Sequence, residues 1–148
     1  MNLNYQLIKE NTDRKICLMQ FSLTSVKTDC FVSFIKNPEA ITQLDITFPV
    51  NIPEQKSESI SSPISALNTR IETGLWHMNN PDGCLCFSIS YPRHKDSKGF
   101  DEDFIANLQK GLTMVDYCTP GLLSVAFGNQ EPEEVAREIW RSVGYPEN

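Results

Sequence analysis

Two cysteines separated by a single residue are the clearest candidates for chemistry in this chain. Cys84 and Cys86 lie in an apolar run, and residues at this spacing on a β-strand point to the same face of the sheet. Two such thiols can share a soft metal ion or form a strained disulfide. If the preceding turn centres on Pro81 and Asp82, His77 lies across from Cys86 and offers a third ligand. One hypothesis is therefore a thiol- or metal-responsive regulator.

The remaining pattern around the thiols favours a simpler interpretation. Zinc sites usually have four ligands, and the chain has neither a Cys-x-x-Cys nor a His-x-x-x-His pair to complete one. The segment from Cys84 to Tyr91 alternates large apolar side chains with small ones. The large residues are Leu85, Phe87, Ile89 and Tyr91, and the small ones are Cys84, Cys86, Ser88 and Ser90. We therefore expect no metal or cofactor, and two small hydrophobic thiols on a thinly covered sheet face.

Other reactive residue types have no partners at useful spacing. Cys118 precedes a possible helix start, where a thiol pKa can fall, but a nucleophile also needs a base and an oxyanion site. Nothing places His77 or His94 beside it, and His94 lies in a charged loop. The acidic run at 101–103 suits the start of a helix. With no Gly-x-Ser-x-Gly, His-Glu-x-x-His or phosphate-binding glycine loop, we expect no catalytic residues. A small enzyme with an unmarked site is the alternative.

Length and composition limit the class of protein. The chain has 148 residues, 40% of them hydrophobic, which suits one globular domain over residues 1–148. Its net charge of −6 disfavours nucleic acid and anionic membranes as partners. No stretch approaches the length of a membrane-spanning helix, and the start is too polar for a secretory signal. Five cysteines, an odd number, lie in apolar runs, as free thiols do in a reducing cytoplasm.

The first half of the chain has the pattern of strands joined by short connections. Such connections predict an antiparallel meander, with a polar turn at residues 11–13. The predicted strands are Tyr5–Lys9, Ile16–Leu23, Cys30–Ile35 and Ile41–Phe48. Residues 51–62 are predicted to form a polar linker. Ser62-Pro63 is predicted to start a helix that ends before Gly74.

The second half predicts a hairpin followed by two helical regions. The hairpin joins Leu75–Met78 to Cys84–Tyr91 through a turn at residues 79–83. Asp101 is the expected cap of the next helix, with Phe100 and Ile105 as a hydrophobic staple. Thr119-Pro120 is expected to restart or kink that helix. A last helix begins near Pro132, with a buried stripe of Val135, Ile139, Trp140 and Val143.

This order of elements and short motifs resembles the YbjN family of bacterial proteins. The resemblance rests on Asn68, Gly74-Leu75-Trp76, the run Asp82–Phe87, Val115-Asp116-Tyr117 and Thr119-Pro120, and it covers about residues 40–128. The family is similar in fold to the Tir-chaperone-like chaperones of type III secretion. The resemblance implies an α+β fold in which helices pack mainly on one face of a curved antiparallel sheet of about five to six strands.

The same resemblance implies a function in binding rather than catalysis. Proteins of this kind are small acidic dimers that bind an extended segment of a client, or act as regulatory factors, and no catalytic residues belong to the pattern. Secretion chaperones usually open with a helix that helps to bind the client, whereas this chain has a strand pattern there.

We therefore expect a cytoplasmic, non-catalytic module that binds a protein client or a homodimer partner. The expected interaction face consists of His77, Cys84, Cys86, Ser88 and Ser90, because small side chains let another backbone approach closely. An exposed sheet edge is the alternative place for a client strand.

Overall fold

Six strands form one antiparallel sheet in the order β1-β2-β3-β4-β6-β5. The structure is a computed structural model that describes residues 3–79 and 82–142. Its strands are β1 Gln6–Glu10, β2 Arg14–Ser22, β3 Lys27–Ile35, β4 Ile41–Thr47, β5 Leu75–Asn79 and β6 Cys84–Pro92. Its helices are α1 Ser57–Asn68, α2 Ser97–Phe127 and α3 Pro132–Ser142, with a 3₁₀ turn at Glu54–Lys56 before α1. The α+β class and the six-stranded sheet agree with the sequence-based expectation.

The first four strands form the predicted meander, with bounds that differ by a few residues. The β1–β2 connection turns at Asn11, whose side-chain oxygen accepts hydrogen bonds from the backbone N–H groups of Asp13 and Arg14 at 2.9 and 2.8 Å. This Asx-type turn reverses the chain within a few residues. The strands that follow pair residue by residue, as short antiparallel connections require.

The β5–β6 hairpin joins the edge of the sheet next to β4. Gly83 closes its turn at φ +69°, a value that favours glycine, and its N–H donates to the carbonyl of Asn79 at 2.9 Å. Asn80 and Pro81, which the sequence places in this turn, lie outside the described residues. The register places His77 opposite Cys86, as predicted.

All three helices pack on one face of the sheet, the covered face. There α2 lies on β4 and β6, α1 lies on β5, and α3 packs on both of these helices. The strands contribute alternate large side chains that are almost completely buried, among them Leu44, Ile46, Leu85, Phe87 and Ile89. Trp76 lies in this core, with its ring centre 5.4 Å from that of Phe87.

Helix α1 begins earlier than the sequence suggested. It starts at Ser57 rather than at Ser62-Pro63, and Pro63 lies inside the helix. The expected polar linker at 51–62 is therefore wrong. Ile60 is fully buried and extends the apolar stripe of Ile64 and Leu67 by one turn, so burial outweighs the hydrogen bond that the proline removes.

Helix α2 also begins earlier, because a different aspartate caps it. Asp96 accepts a hydrogen bond from the N–H of Gly99 at 2.7 Å, so the expected cap at Asp101 is wrong. Phe100 lies within the first turn and stacks on Phe34 and Phe104, with ring centres 5.9 and 6.4 Å apart. It therefore packs against the sheet and along the helix instead of forming the expected staple.

Helix α2 continues through Pro120 to Phe127, so the expected restart does not occur. Pro120 has no N–H for the carbonyl of Asp116, four residues earlier. Ser25, in the β2–β3 turn, lies beside this residue: its N–H donates to the Asp116 carboxylate at 2.8 Å, and its hydroxyl lies 2.7 Å from the same carboxylate and 3.0 Å from the unpaired carbonyl. These bonds hold the Asp116 pKa below its ordinary value. Val143, predicted in the α3 stripe, lies outside the described residues.

Candidate functional site

The face of the sheet opposite the helices, here called the open face, carries the whole predicted interaction set. Strand alternation sends the side chains of His77, Cys84, Cys86, Ser88 and Ser90 to this side. The described helices contact the sheet only through the other side, where the buried strand residues lie. The open face is therefore a sheet surface without a second layer in the described part of the chain.

The open face divides into two halves of different character. Over β2 and β3 it is apolar and bulky, with half-buried Ile16, Leu18, Phe31 and Ile35. Over β4, β6 and β5 it is mainly small and polar, with Ile41 and the exposed Leu75 at its margins. One row of directly paired residues crosses both halves, and it runs Leu18, Phe31, Asp45, Ser88, Leu75. The boundary between the two halves lies between Phe31 and Asp45.

A chain of hydrogen bonds satisfies the polar half internally. Ser88 Oγ donates to the Asp45 carboxylate at 2.5 Å, and the Gln43 amide donates to both carboxylate oxygens at 3.0 and 2.9 Å. His77 Nε2 lies 2.7 Å from Ser88 Oγ. Because Ser88 has a single proton and gives it to Asp45, it accepts from His77, so the neutral imidazole carries its proton on Nε2.

The two thiols lie beside this chain of hydrogen bonds. Cys84 Sγ and Cys86 Sγ are 3.8 Å apart, and both residues remain free thiols. Cys86 is buried at 6% exposure, whereas Cys84 is half-buried. Burial, and then the neighbouring Cys84, raise the pKa of the Cys86 thiol to about 12. Among residues 3–79 and 82–142, no three His, Cys, Asp or Glu side chains form a cluster that would hold a metal ion.

Both edges of the sheet are protected against strand addition. At the β5 edge, the Asn68 side chain donates to the carbonyl of Trp76 and accepts from its N–H, each at 2.8 Å. This amide thus occupies backbone groups that an added strand would need. At the β1 edge the register shifts between Leu7 and Lys9, and a bulge next to a lysine disfavours pairing.

The other candidates from the sequence are separate from the open face. Cys118 is fully buried in the core, and burial raises its pKa to about 12, which opposes a nucleophilic role. His94 lies in the loop before α2 and pairs with Asp96 at 2.9 Å. Trp140 is buried in the core, as expected.

Sequence reasoning did not identify two residues that organise the site. Asp45 connects β4 to Ser88 on β6, and Gln43 holds the Asp45 carboxylate from within β4. The available signal was Asp45 itself, the single acid in a strand whose alternate residues are apolar. Ser90, which was predicted with the others, is exposed and lies directly opposite Gln43 in the register.

Comparison with protein-family models, with curated proteins and with solved structures found no match to this chain. In the part of the chain that the structure describes, every helix is too short or too polar to cross a bilayer.

Proposed function

We propose that this chain is a non-catalytic protein-binding module, chaperone-like or a regulatory adaptor, and that its open face packs on a protein client or on a second copy of the chain. The observation that carries the proposal is the internally satisfied polar half of this face. Burying a polar group is costly when it loses its hydrogen bonds. Asp45, Ser88, His77 and Gln43 bond to one another, so a partner covers them at a lower cost in desolvation than it would cover four unbonded polar groups.

The bulky half supplies a favourable contribution to the same contact. Leu18 and Phe31 are directly opposed in the register and only half-buried, so a partner removes further apolar surface from water there. Each square ångström of apolar surface covered contributes about 25 cal/mol. The face therefore combines an apolar contact region with a flat region of small side chains.

A face is a better binding surface here than an edge. The amide of Asn68 occupies the outward backbone groups of Trp76, and the bulge at Leu7–Lys9 disrupts the other edge. Strand addition needs a continuous row of free backbone donors and acceptors. The proposal therefore assigns the partner to the face and not to an added strand.

A catalytic function has weaker support. In an activated serine nucleophile the histidine lies between the acid and the serine, whereas here Ser88 lies between His77 and Asp45. Ser88 lies where β6 is paired with β4 on one side and β5 on the other, so the N–H groups around it are engaged in the ladders and are not available to an oxyanion. The network is arranged to fix side chains in place.

The proposed relation to the YbjN family is consistent with this function. The α+β architecture with helices on one sheet face is the arrangement that the resemblance implies. The family resemblance implies a small acidic protein that binds other proteins, and the net charge of −6 agrees with an acidic protein. We propose membership of that family on the sequence motifs described above.

The test replaces a small side chain on the open face with a large charged one. Ser90→Arg adds bulk and charge at an exposed position, so the fold is expected to be retained. Ser65→Arg, at an exposed position on α1, is the matched control. We expect Ser90→Arg to lose the partner that the wild-type chain retains in quantitative pull-downs from source lysate, and Ser65→Arg to keep it.

Light scattering on the purified proteins separates the two kinds of partner. If the partner is a second copy, the wild-type chain has twice the monomer mass and Ser90→Arg has the monomer mass. If the partner is a client, all three proteins are monomers and only the pull-down differs. Equal behaviour of wild type and Ser90→Arg in both measurements contradicts the proposal.

A further inference from the structure

We propose that the partner of the open face is a second copy of this chain, and that the two sheets pack face to face about a two-fold axis that runs along the strands. The axis lies midway between β3 and β4, so the bulky half of each copy covers the polar half of the other. The inference rests on the proposed function, because it names the partner of the same face.

The boundary between the two halves bisects the sheet. It lies between Phe31 on β3 and Asp45 on β4, and the strand order places three strands on each side of it. A two-fold axis at this boundary places β3 over β4, β2 over β6 and β1 over β5 of the second copy. Each half therefore meets a half of equal width, as a self-complementary interface requires.

The two halves differ in the size of their side chains. In the central row, the axis places Leu18 of one copy over Ser88 of the other, and Phe31 over Asp45. Packed sheets lie about 10 Å apart, and large side chains that face small ones fill this space. With one bulky half on the other, the sheets would be held apart. The polar halves would then enclose a gap and lose their packing contacts.

The two halves also differ in charge. The register places exposed Lys9, Arg14 and Lys27 on the bulky half, beside one carboxylate, Asp29. In the described part of the polar half, Asp45 is the only side chain with a formal charge at pH 7. Two copies of a chain with net charge −6 repel each other. Contact between a cationic half and an anionic half reduces that repulsion.

The open face is large enough for a stable dimer. Its strands are five to nine residues long. With strands about 4.8 Å apart and a rise of about 3.3 Å per residue, the face measures roughly 29 by 23 Å, or about 670 Å² in projection. A typical specific interface buries about 800 Å² of accessible surface on each partner, and accessible surface exceeds projected area because side chains stand out from the sheet. A second face of the same size therefore covers what a stable dimer requires.

The first experiment measures the mass of the untagged full chain by sedimentation equilibrium over a wide range of concentrations, with a reductant present. We expect a reversible equilibrium between monomer and dimer and no larger assembly, because a two-fold interface is closed. A monomer at every concentration overturns the inference, and so does a series of larger assemblies. The protein-binding function can survive that result, because the lysate pull-downs of wild type and Ser90→Arg test it separately.

Cross-linking tests the direction of the axis. One row of directly paired residues runs Ile16, Ser33, Gln43, Ser90. The axis therefore places Ile16 of one copy over Ser90 of the other. Ile16→Cys and Ser90→Cys are made as separate proteins in a Cys84→Ser background, which removes the half-buried native thiol. A short bismaleimide should cross-link the mixture into a dimer with one chain of each. Ile16→Cys mixed with Ser65→Cys, on α1, is the control and should give no such product.

Two charge variants at one position test which half lies opposite the bulky half. Leu18→Glu and Leu18→Lys remove the same apolar contact and introduce opposite charges. In the proposed dimer Leu18 lies over the half that carries Asp45, so Leu18→Glu should raise the dimer dissociation constant severalfold more than Leu18→Lys. Circular dichroism checks that both variants are folded, as expected for a half-buried position.

Two further results overturn the proposed arrangement. One is a dimer in which Ile16→Cys cross-links to Ser90→Cys no better than to the Ser65→Cys control. The other is a Leu18→Lys dimer that dissociates at least as readily as the Leu18→Glu dimer, because the cationic half would then lie opposite Leu18.

Discussion

The two faces of one sheet are built from alternate residues of the same strands, yet they differ in what they bury. On the covered face, Leu44 and Phe87 are at most 1% exposed and pack under the helices. On the open face, their immediate neighbours Asp45 and Ser88 bond to each other and stay half-buried. The covered face therefore holds most of the stability. Exposed and half-buried side chains on the open face are expected to cost the fold less if changed, which is the property expected of a binding surface.

The largest expected difference between the faces is in the free energy of unfolding. Leu44→Ala removes a fully buried side chain and should cost about 2–5 kcal/mol. Leu18→Ala, on the open face, should cost about 1 kcal/mol, because that side chain already contacts water. Urea unfolding of the two variants measures both costs. Equal costs would mean that the open face is as much a core surface as the covered one.

A smaller effect tests how closely α2 lies on the covered face. A methyl group at Gly111 would come within 2.5 Å of Ile46 Cδ1. Gly111→Ala should therefore destabilise the chain by about 1–3 kcal/mol, although alanine favours helices. Ser65→Ala, at an exposed position of α1, is the control and should change the free energy of unfolding by no more than about 0.5 kcal/mol. Thermal unfolding of both variants measures the two changes in stability. A Gly111→Ala variant more stable than wild type would show that α2 packs less closely on Ile46 than described.

Loss of the Asn68 side chain from the β5 edge is expected to lower the free energy of unfolding by a similar or smaller amount. Asn68→Ala removes two hydrogen bonds and leaves backbone groups of Trp76 exposed at the edge, which should cost about 1–2 kcal/mol. Asn107→Ala removes one bond to the carbonyl of Asp103 on α2 and should cost less. Faster aggregation of Asn68→Ala than of Asn107→Ala would support the protective role. Identical unfolding and aggregation would contradict it.

The smallest expected effect is the pH dependence of the contact between Ser25 and Asp116. Because the folded state lowers the Asp116 pKa, the contact stabilises the fold fully above the ordinary carboxyl pKa of about 3.9. That contribution is lost as the pH falls through the lower, folded-state pKa. Asp116→Asn should be less stable than wild type by under about 1 kcal/mol at pH 7, since the carboxylate is exposed to solvent.

The difference between Asp116→Asn and wild type should shrink toward zero on acidification. Urea unfolding across the acidic range measures this difference. A difference that is the same at pH 7 and in strong acid would show that the carboxylate charge contributes nothing to the contact.

Local sequence pattern was enough to predict the strands and the two faces of β6. Alternation of size in Cys84–Tyr91 separated the covered face from the open one, and the position of the turn gave the register of His77 with Cys86. Helix starts were less accurate. Asp96 and Asp101 are equally good caps by residue type, and only packing of Phe100 on Phe34 distinguishes them.

The rest of the site depends on contacts between residues far apart in sequence. Asp45 meets Ser88 across 43 positions, and Ser25 meets Asp116 across 91. No periodicity within one segment encodes such a pair. The pairing of β4 with β6 brings Asp45 to Ser88, and that pairing became evident only from the folded sheet.

The most direct test of the central claim, that another protein surface covers the open face, uses the chain's own thiol. Cys84 is the half-buried thiol of this face, and fully buried Cys118 is the internal reference. The alkylation rate of Cys84 is measured by mass spectrometry in dilute purified protein, in concentrated purified protein and in fresh extract of the source cells, always with a metal chelator. We predict a severalfold slower rate in the concentrated sample if the partner is a second copy, or in the extract if it is a client. The same rate in all three samples would contradict the account.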